Sequence, residues 1–306
     1  MPIVSTEPIL NPLSQSDLSK KGLCDWVINV ASGCLHGCTF CYVPSTPAIR
    51  TRQKHLQAQG VANPQLDWGN YLFLRENLGN RLRAVLQSKR SWRETPAGKG
   101  VVLLCSGTDP YQNQRARNLT RTAAEILLEF DKRIRILTRS PLWIKDLDLL
   151  CHPNITVGMS IPHSNDQLSR QIEPHAPRPS DRLKAMEKGK AAGCRLFIAM
   201  APTPPPEVYD RKEWRSHLAK LLKLEPEVIF WEPINNRSSA GQRMAAAGLN
   251  WPRQTRESFM QQWKTLSEIS TELGCEDLIH YWPDQIVASE AIATPWFYKP
   301  SREQWN

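Results

Sequence analysis

The chain has 306 residues, 41% of them apolar, and its 39 Lys and Arg outnumber 30 Asp and Glu for a formal net charge of +9. No run approaches the roughly 18 apolar residues that span a bilayer, and Met1 to Lys21 holds no apolar signal stretch, so a helical membrane anchor is set aside and a cytoplasmic protein is expected. The eight cysteines are too sparse for a secreted disulfide scaffold, and the basic balance suits a nucleic acid, an acidic peptide or an anionic cofactor without choosing among them.

Along the chain, Met1 to about Lys21 reads as an extended arm. Trp26-Val27-Ile28-Asn29-Val30 is a short apolar run that suits a strand. Pro44 to Trp68 is rich in Pro, Gln, Lys and Arg, and reads as a long loop or partly helical insertion. Leu74, Leu78, Leu82, Val85 and Leu86 recur at helical spacing. Val101 to Cys105 is continuously apolar, as in a strand buried on both faces. Leu119, Ala123, Ile126, Leu127 and Phe130 mark a helix, Ile134 to Leu137 a strand, Leu142 to Leu150 a short helix, and Ile155 to Ile161 the next strand.

The rhythm continues with a helix over Asp181 to Ala192, which Gly193 is placed to end with a left-handed residue. Arg195 to Ala201 is a strand that Pro202 is expected to stop. Trp214, Leu218, Leu221 and Leu222 form a helical face, Val228 to Trp231 a sixth strand, and Phe259, Trp263, Leu266, Ile269 and Leu273 a last helix closed by Gly274. Six strands alternating with helices imply a parallel sheet with helices outside. The expected architecture is α/β: a partial, TIM-like (β/α)6 barrel over residues 26–240. An N-terminal arm (1–25) and a C-terminal helical extension (241–306) pack on it. In such folds sites form at the carboxyl ends of the strands.

The first such end carries Gly33-Cys34-Leu35-His36-Gly37-Cys38-Thr39-Phe40-Cys41-Tyr42. Thiolates are the common ligands of iron–sulfur clusters. Three of them, from Cys34, Cys38 and Cys41, leave one iron of a [4Fe–4S] cube open to bind something else. Structural zinc prefers four closed ligands; His36 and Cys24 keep a Cys/His zinc site as an alternative. The other five cysteines are scattered, as in a reduced protein with one local thiolate site.

The spacing C-x3-C-x2-C, with Phe40 before and Tyr42 after the last cysteine, resembles the radical S-adenosylmethionine (SAM) superfamily. That resemblance implies SAM bound through its amino and carboxylate groups to the open iron. An electron from an external donor then cleaves the sulfonium. The resulting 5′-deoxyadenosyl radical abstracts a hydrogen atom from substrate.

Further segments resemble the spore photoproduct lyase-like branch: Trp68-Gly69-Asn70-Tyr71, Gly107-Thr108-Asp109-Pro110-Tyr111-Gln112, Leu119-Thr120-Arg121, Thr138-Arg139-Ser140, Ser160-Ile161, and Glu173-Pro174-His175-Ala176-Pro177 with Arg182. By this resemblance Thr108, Arg139 and Ser160 match cofactor-contacting positions. Ser106 to Asp109 are expected near the cofactor's amino group, Arg139 or Arg182 at its carboxylate, and Ser160 at its ribose; Glu173 and Tyr42 complete the expected cofactor set. In the branch a cysteine near the end of the second strand donates hydrogen to a product radical, and the tyrosine after the cluster motif takes part. Tyr42 matches the tyrosine, and Cys105 lies close to the cysteine. Read alone, a buried strand cysteine is an inert small hydrophobe.

For the substrate, the chain resembles the spliceases, which excise a tyramine unit from a ribosomally made precursor peptide and leave an α-keto-β-amino acid. They work with a small separate leader-binding partner. A basic surface suits an acidic leader. The alternative is DNA repair, reversing a thymine photoproduct: the charge suits phosphates and the 11 tryptophans suit base stacking. No basic-aromatic hairpin for opening a duplex is visible. A non-catalytic scaffold would not need the cofactor residues. Glu232 and Asn235, within Trp231-Glu232-Pro233-Ile234-Asn235-Asn236, are expected at the barrel mouth, as is His163.

Overall fold

The computed structural model describes residues 1–88, 91–235 and 238–282. In chain order its strands are β1 (Ile3–Glu7), β2 (Ser14–Gln15), β3 (Trp26–Ile28), β4 (Ala31–Gly33), β5 (Tyr71–Arg75), β6 (Val102–Leu104), β7 (Ile134–Thr138), β8 (Ile155–Ser160), β9 (Arg195–Thr203), β10 (Ile229–Pro233) and β11 (Ile279–Tyr281). Ten helices accompany them: α1 (Pro47–Arg50), α2 (Gln53–Ala58), α3 (Leu78–Gln87), α4 (Gln114–Glu129), α5 (Leu147–Leu150), α6 (Asp166–Ile172), α7 (Pro179–Ala191), α8 (Arg211–Leu222), α9 (Ser238–Ala246) and α10 (Arg256–Glu272).

The main sheet runs β11-β10-β9-β8-β7-β6-β3-β2. Every pair in it is parallel except the antiparallel β2–β3 edge. The six strands expected from sequence are its consecutive centre, β3 and β6 to β10, and the order does not close on itself. Central strands such as β8 are buried along their whole length, which is why they read as continuous apolar runs. Helices end where the residues dictate: Asn113 caps α4, Asp210 and Glu213 form a capping box on α8, and Gly193 and Gly274 take positive φ after α7 and α10.

Several expectations need correcting. Residues 1–21 are not a free arm: β1 pairs in parallel with β5, β2 pairs with β3, and Asp17–Lys21 is a 3₁₀ turn capped by Ser16. Leu74 belongs to β5, not to α3; it falls four residues before Leu78 by coincidence of spacing. The insertion after the cysteines is partly helical, as expected, with the short α1 and α2. Pro202 does not stop β9. The strand continues to Thr203 beside a register shift against β10, where a missing N–H is tolerated. Two of the scattered cysteines, Cys151 and Cys194, form a disulfide between the ends of α5 and α7.

Most important for the site, β4 stands between β3 and the cysteines. It joins β1 and β5 in a separate sheet, order β1-β5-β4. The cysteine loop therefore leaves the edge of this small sheet rather than the barrel strand itself.

Candidate functional site

The loop is fixed at both ends. At Gly33, φ is +86° and an added Cβ would lie 2.3 Å from Tyr71 O, so only glycine lets β4 approach β5 this closely. Thr108 Oγ1 donates to Gly33 O at 2.5 Å, Gln112 Nε2 donates to Thr108 Oγ1 at 2.9 Å, and Leu35 N donates to Gln112 Oε1 at 2.7 Å. The turn holding Thr108 is itself pinned by Asn29, whose Oδ1 accepts from Ser106 N at 3.0 Å and Gly107 N at 2.7 Å. On the far side Thr39 N donates to Ile172 O at 2.9 Å, and Arg243 donates to Cys41 O.

Cys34, Cys38 and Cys41 all carry free thiols and line one cavity of about 470 Å³. Burial pushes the Cys38 thiol up to about 12, with Arg139 pulling the other way. Burial also raises Cys34, with Asp109 adding to it, and raises Cys41 against weaker opposing groups. Three desolvated sulfurs gathered on one wall are out of place as thiols and suited to a metal that takes them as thiolates. No group of three His, Cys, Asp or Glu among the described residues could hold a single metal ion. A four-iron cube asks only that each sulfur reach its own iron, so the donor set fits the cluster better than it fits zinc.

Asp109 lines the cavity, and both of its carboxylate oxygens accept hydrogen bonds from the protein. Oδ1 accepts from Tyr111 N at 2.8 Å and Thr138 Oγ1 at 2.7 Å; Oδ2 accepts from Arg139 N at 2.7 Å and lies 3.2 Å from His36 Nε2. Burial alone would raise it, but His36 and these donors hold it at about 2. Asp109 thus ties the cysteine loop to the ends of β6 and β7.

Arg139 follows β7 and also lines the cavity. Its Nε donates to Glu173 Oε1 at 2.5 Å, and its guanidinium lies 5.5 Å from the Phe40 ring centre. Its two Nη atoms make no hydrogen bond among the described residues. Glu173 and Arg182 are not on the cavity wall. They form a buried layer behind it: Glu173 Oε2 accepts from Arg182 Nη2 at 2.6 Å, and Arg182 also donates to Ser160 O at 2.9 Å and Pro177 O at 2.8 Å. Burial would raise Glu173, and the two arginines hold it at about 2. Thr108, expected at the cofactor, spends its hydroxyl on Gly33. Ser160 lines the cavity with its hydroxyl donated to Ala201 O at 2.7 Å.

Cys105 lies just past β6, 3% exposed, on the cavity wall. Burial raises its thiol. Tyr42 is exposed, with its hydroxyl 3.4 Å from Ser106 O. Glu232 and Asn235 line the cavity; Asn236 lies outside the described residues. His163 does not reach the mouth. It is fully buried beside Tyr209, and burial lowers it to about 4, the signature of a neutral packing histidine.

Sequence reasoning missed Leu18, Lys21, Leu23 and Trp282, which close the cavity from the two ends of the chain. It also missed Asn29 as the anchor of the Ser106 turn. Asn29 was visible as a polar residue inside an otherwise apolar run, and that was the available signal.

Comparisons agree with this geometry. The chain is 30% identical over 219 residues to the uncharacterised protein ORF301 of Acidianus two-tailed virus, covering 69% of this chain and 68% of that protein. It is 28% identical over 202 residues to the uncharacterised protein Rv2578c of Mycobacterium tuberculosis, of which the match spans 54%. Among solved structures, a spore photoproduct lyase variant with bound AdoMet and dinucleoside spore photoproduct superposes with TM-score 0.60 at 14% identity, covering 88% of this chain and 78% of the other. Streptococcus suis SuiB bound to S-adenosylmethionine gives TM-score 0.54 at 12% identity, covering 94% and 56%. These structural likenesses establish the fold. The model of the radical SAM superfamily matches residues 28–212, more than half of the chain, and the chain belongs to that superfamily.

Proposed function

We propose that this radical SAM enzyme modifies a ribosomally made precursor peptide, excising a tyramine unit to leave an α-keto-β-amino acid. Cys34, Cys38 and Cys41 hold the [4Fe–4S] cluster. When bound, the cluster and SAM supply the 5′-deoxyadenosyl radical that takes hydrogen from the substrate. Arg139 offers its two unengaged Nη donors to the SAM carboxylate, a bidentate match that a lysine lacks. Ser106, Tyr42 and Ser160 line the same cavity, and in this reading Ser160 serves the ribose. Thr108, Asp109, Glu173 and Arg182 position these groups rather than touch the cofactor. Cys105 lines the same cavity and serves in this reading as hydrogen donor to a product radical.

One catalytic unit spans residues 26–240. Residues 1–25 supply part of its cavity wall; the extension from residue 241 adds α10, the parallel strand β11 and the lining residue Trp282, and 283–306 lie outside the described residues. The enzyme works in the cytoplasm with an external electron donor and a small leader-binding partner. No helix among the described residues is long and apolar enough to cross a membrane.

The observation that carries the peptide reading is Glu232 on the cavity wall beside apolar Leu18, Leu23 and Trp282. The Glu232 charge is balanced by Lys21 Nζ at 2.9 Å, so this wall offers a phosphodiester no net attraction and suits a neutral peptide. Expression of the enzyme with short peptides encoded beside it, followed by mass spectrometry of the peptides, tests the reading. Loss of a tyramine unit is expected. Intact peptides alongside salt-sensitive binding and repair of irradiated DNA would replace the reading with the photoproduct alternative.

A further inference from the structure

Arg243 differs from the other guanidiniums around the cysteine loop. Arg139 meets Glu173 and Arg75 meets Glu7, whereas Arg243 forms no ion pair with any carboxylate among the described residues. Its side chain is only 8% exposed and rises from α9. That helix lies beyond residues 28–212, the span matched by the superfamily model, so the shared frame of the superfamily does not account for it.

The hydrogen bonds aim this cation at the cysteines. Nη2 donates to Cys41 O, and Nη1 donates to Gln65 O at 2.7 Å and to Ser239 Oγ at 3.0 Å. Nε has no partner. Ser239 Oγ lies 2.6 Å from Ser45 Oγ, which holds α9 against the chain leaving the cysteine loop. All of these partners are neutral. A buried charge is ordinarily paired or committed to a metal site, so Arg243 lacks the counter-charge its burial calls for. Burial pulls the guanidinium down, and the Cys41 sulfur is foremost among the groups that oppose it, with Cys38 further off. Cys41 also borders an apolar cluster of Val43, Trp68, Tyr71 and Phe73, where attraction between opposite charges is little screened.

We propose that Arg243 is the counter-charge of the [4Fe–4S] cluster, a positioning residue that favours its reduced form. The proposal rests on the cluster assignment. Three thiolates make the cluster rich in negative charge, and one-electron reduction adds more. A fixed cation beside Cys41 stabilises the reduced form more than the oxidised one, because cluster potentials follow local charge and hydrogen bonding. The electron comes from the external donor, which is oxidised as the cluster is reduced, and no covalent bond changes.

The test uses the full chain, reconstituted anaerobically with iron and sulfide, without SAM. Iron is counted, and the reduced cluster is followed by electron paramagnetic resonance during a redox titration. Arg243→Gln is expected to lower the reduced-to-oxidised ratio at a fixed potential about tenfold, a shift of about 59 mV to more negative potential for one electron. Ser239→Asp sets a carboxylate against Arg243 Nη1 while leaving the bond to Cys41 O in place, and is expected to shift the potential the same way. Arg243→Lys keeps the charge, and is expected to load the cluster and hold the ratio within about twofold of wild type. If Arg243→Gln and Ser239→Asp load no cluster while Arg243→Lys does, the charge is needed for assembly itself, which also supports the proposal. An unshifted potential in a loaded Arg243→Gln or Ser239→Asp protein overturns it and leaves Arg243 as a latch on the Cys41 backbone. Failure of Arg243→Lys to load overturns it too, since the retained charge should suffice. A wild-type chain that takes up no cluster sinks the cluster assignment instead.

Discussion

Arg139 and Glu173 meet through Nε and Oε1 at 2.5 Å, so a cavity-wall guanidinium is aimed by a carboxylate that never reaches the cavity. Glu173 in turn holds Arg182, and both of these side chains are fully buried. In the proposed function the one acid and two arginines divide their work: Arg139 for the cofactor, Glu173 and Arg182 for its placement.

Substitutions separate the two roles. Arg139→Gln removes a charged donor pair and weakens SAM binding by about 10- to 100-fold, from the ~1.5–3 kcal/mol of a charge-assisted bond, without lowering the melting temperature by more than a few degrees. Glu173→Gln strips the counter-charge from buried Arg182 and costs about 3–5 kcal/mol of stability. Calorimetric SAM titration and chemical denaturation of the two variants check this. Equal stability loss in both would erase the division.

Asp109→Asn tests the anchor. The exchange keeps one acceptor oxygen but turns the other atom into a donor facing Arg139 N and His36, so a buried bond becomes a clash of donors. The cysteine loop then loses its tie to β7, and cluster content per chain falls after anaerobic reconstitution with iron and sulfide. Full cluster content would make Asp109 dispensable to the loop.

Much of this was legible beforehand. The six central strands and the cysteine loop announce themselves, because buried parallel strands are continuous apolar runs and C-x3-C-x2-C is a dense local signal. The small sheet was not legible. β1 pairs with β5 across more than sixty residues, and such pairing leaves no mark on local periodicity. For the same reason Lys21 and Glu232, 211 residues apart, give no sign of meeting. Thr108 and Asp109 read from sequence as polar residues near the cofactor, and both line the cavity. Sequence gives a polar residue's address, while its partners, Gly33 O and His36, decide whether any hydrogen-bonding capacity remains.

His217 predicts a pH dependence of stability. It is buried, with Nε2 2.8 Å from Ile161 O and Nδ1 2.6 Å from Ser164 Oγ, and burial lowers it from 6.5 to about 3. The unfolded chain binds this proton below 6.5 and the folded chain does not. The associated stability is present above pH 6.5 and is lost as pH falls toward 3, at about 1.4 kcal/mol per pH unit. Urea denaturation at pH 7, 6 and 5 measures the slope, and His217→Gln reduces it by one proton's worth. An unchanged slope in the variant would place the titration elsewhere.

Cys105→Ala bears on radical quenching. The thiol is on the cavity wall, meets the Val30 backbone and borders the main apolar core. If it returns hydrogen to a product radical, the variant still forms 5′-deoxyadenosine but diverts product or consumes more SAM per turnover. Unchanged turnover and product would leave Cys105 as a small hydrophobe.

The central claim is that Cys34, Cys38 and Cys41 build a cluster that turns SAM into a hydrogen-abstracting radical. Its most direct test is anaerobic reconstitution with iron and sulfide, addition of SAM and a strong reductant, and quantification of 5′-deoxyadenosine by mass spectrometry. The wild type is predicted to form it, and Cys38→Ala is predicted to lose both the visible absorption of the cluster and the product. A wild-type protein that assembles the cluster yet releases no 5′-deoxyadenosine would contradict the account.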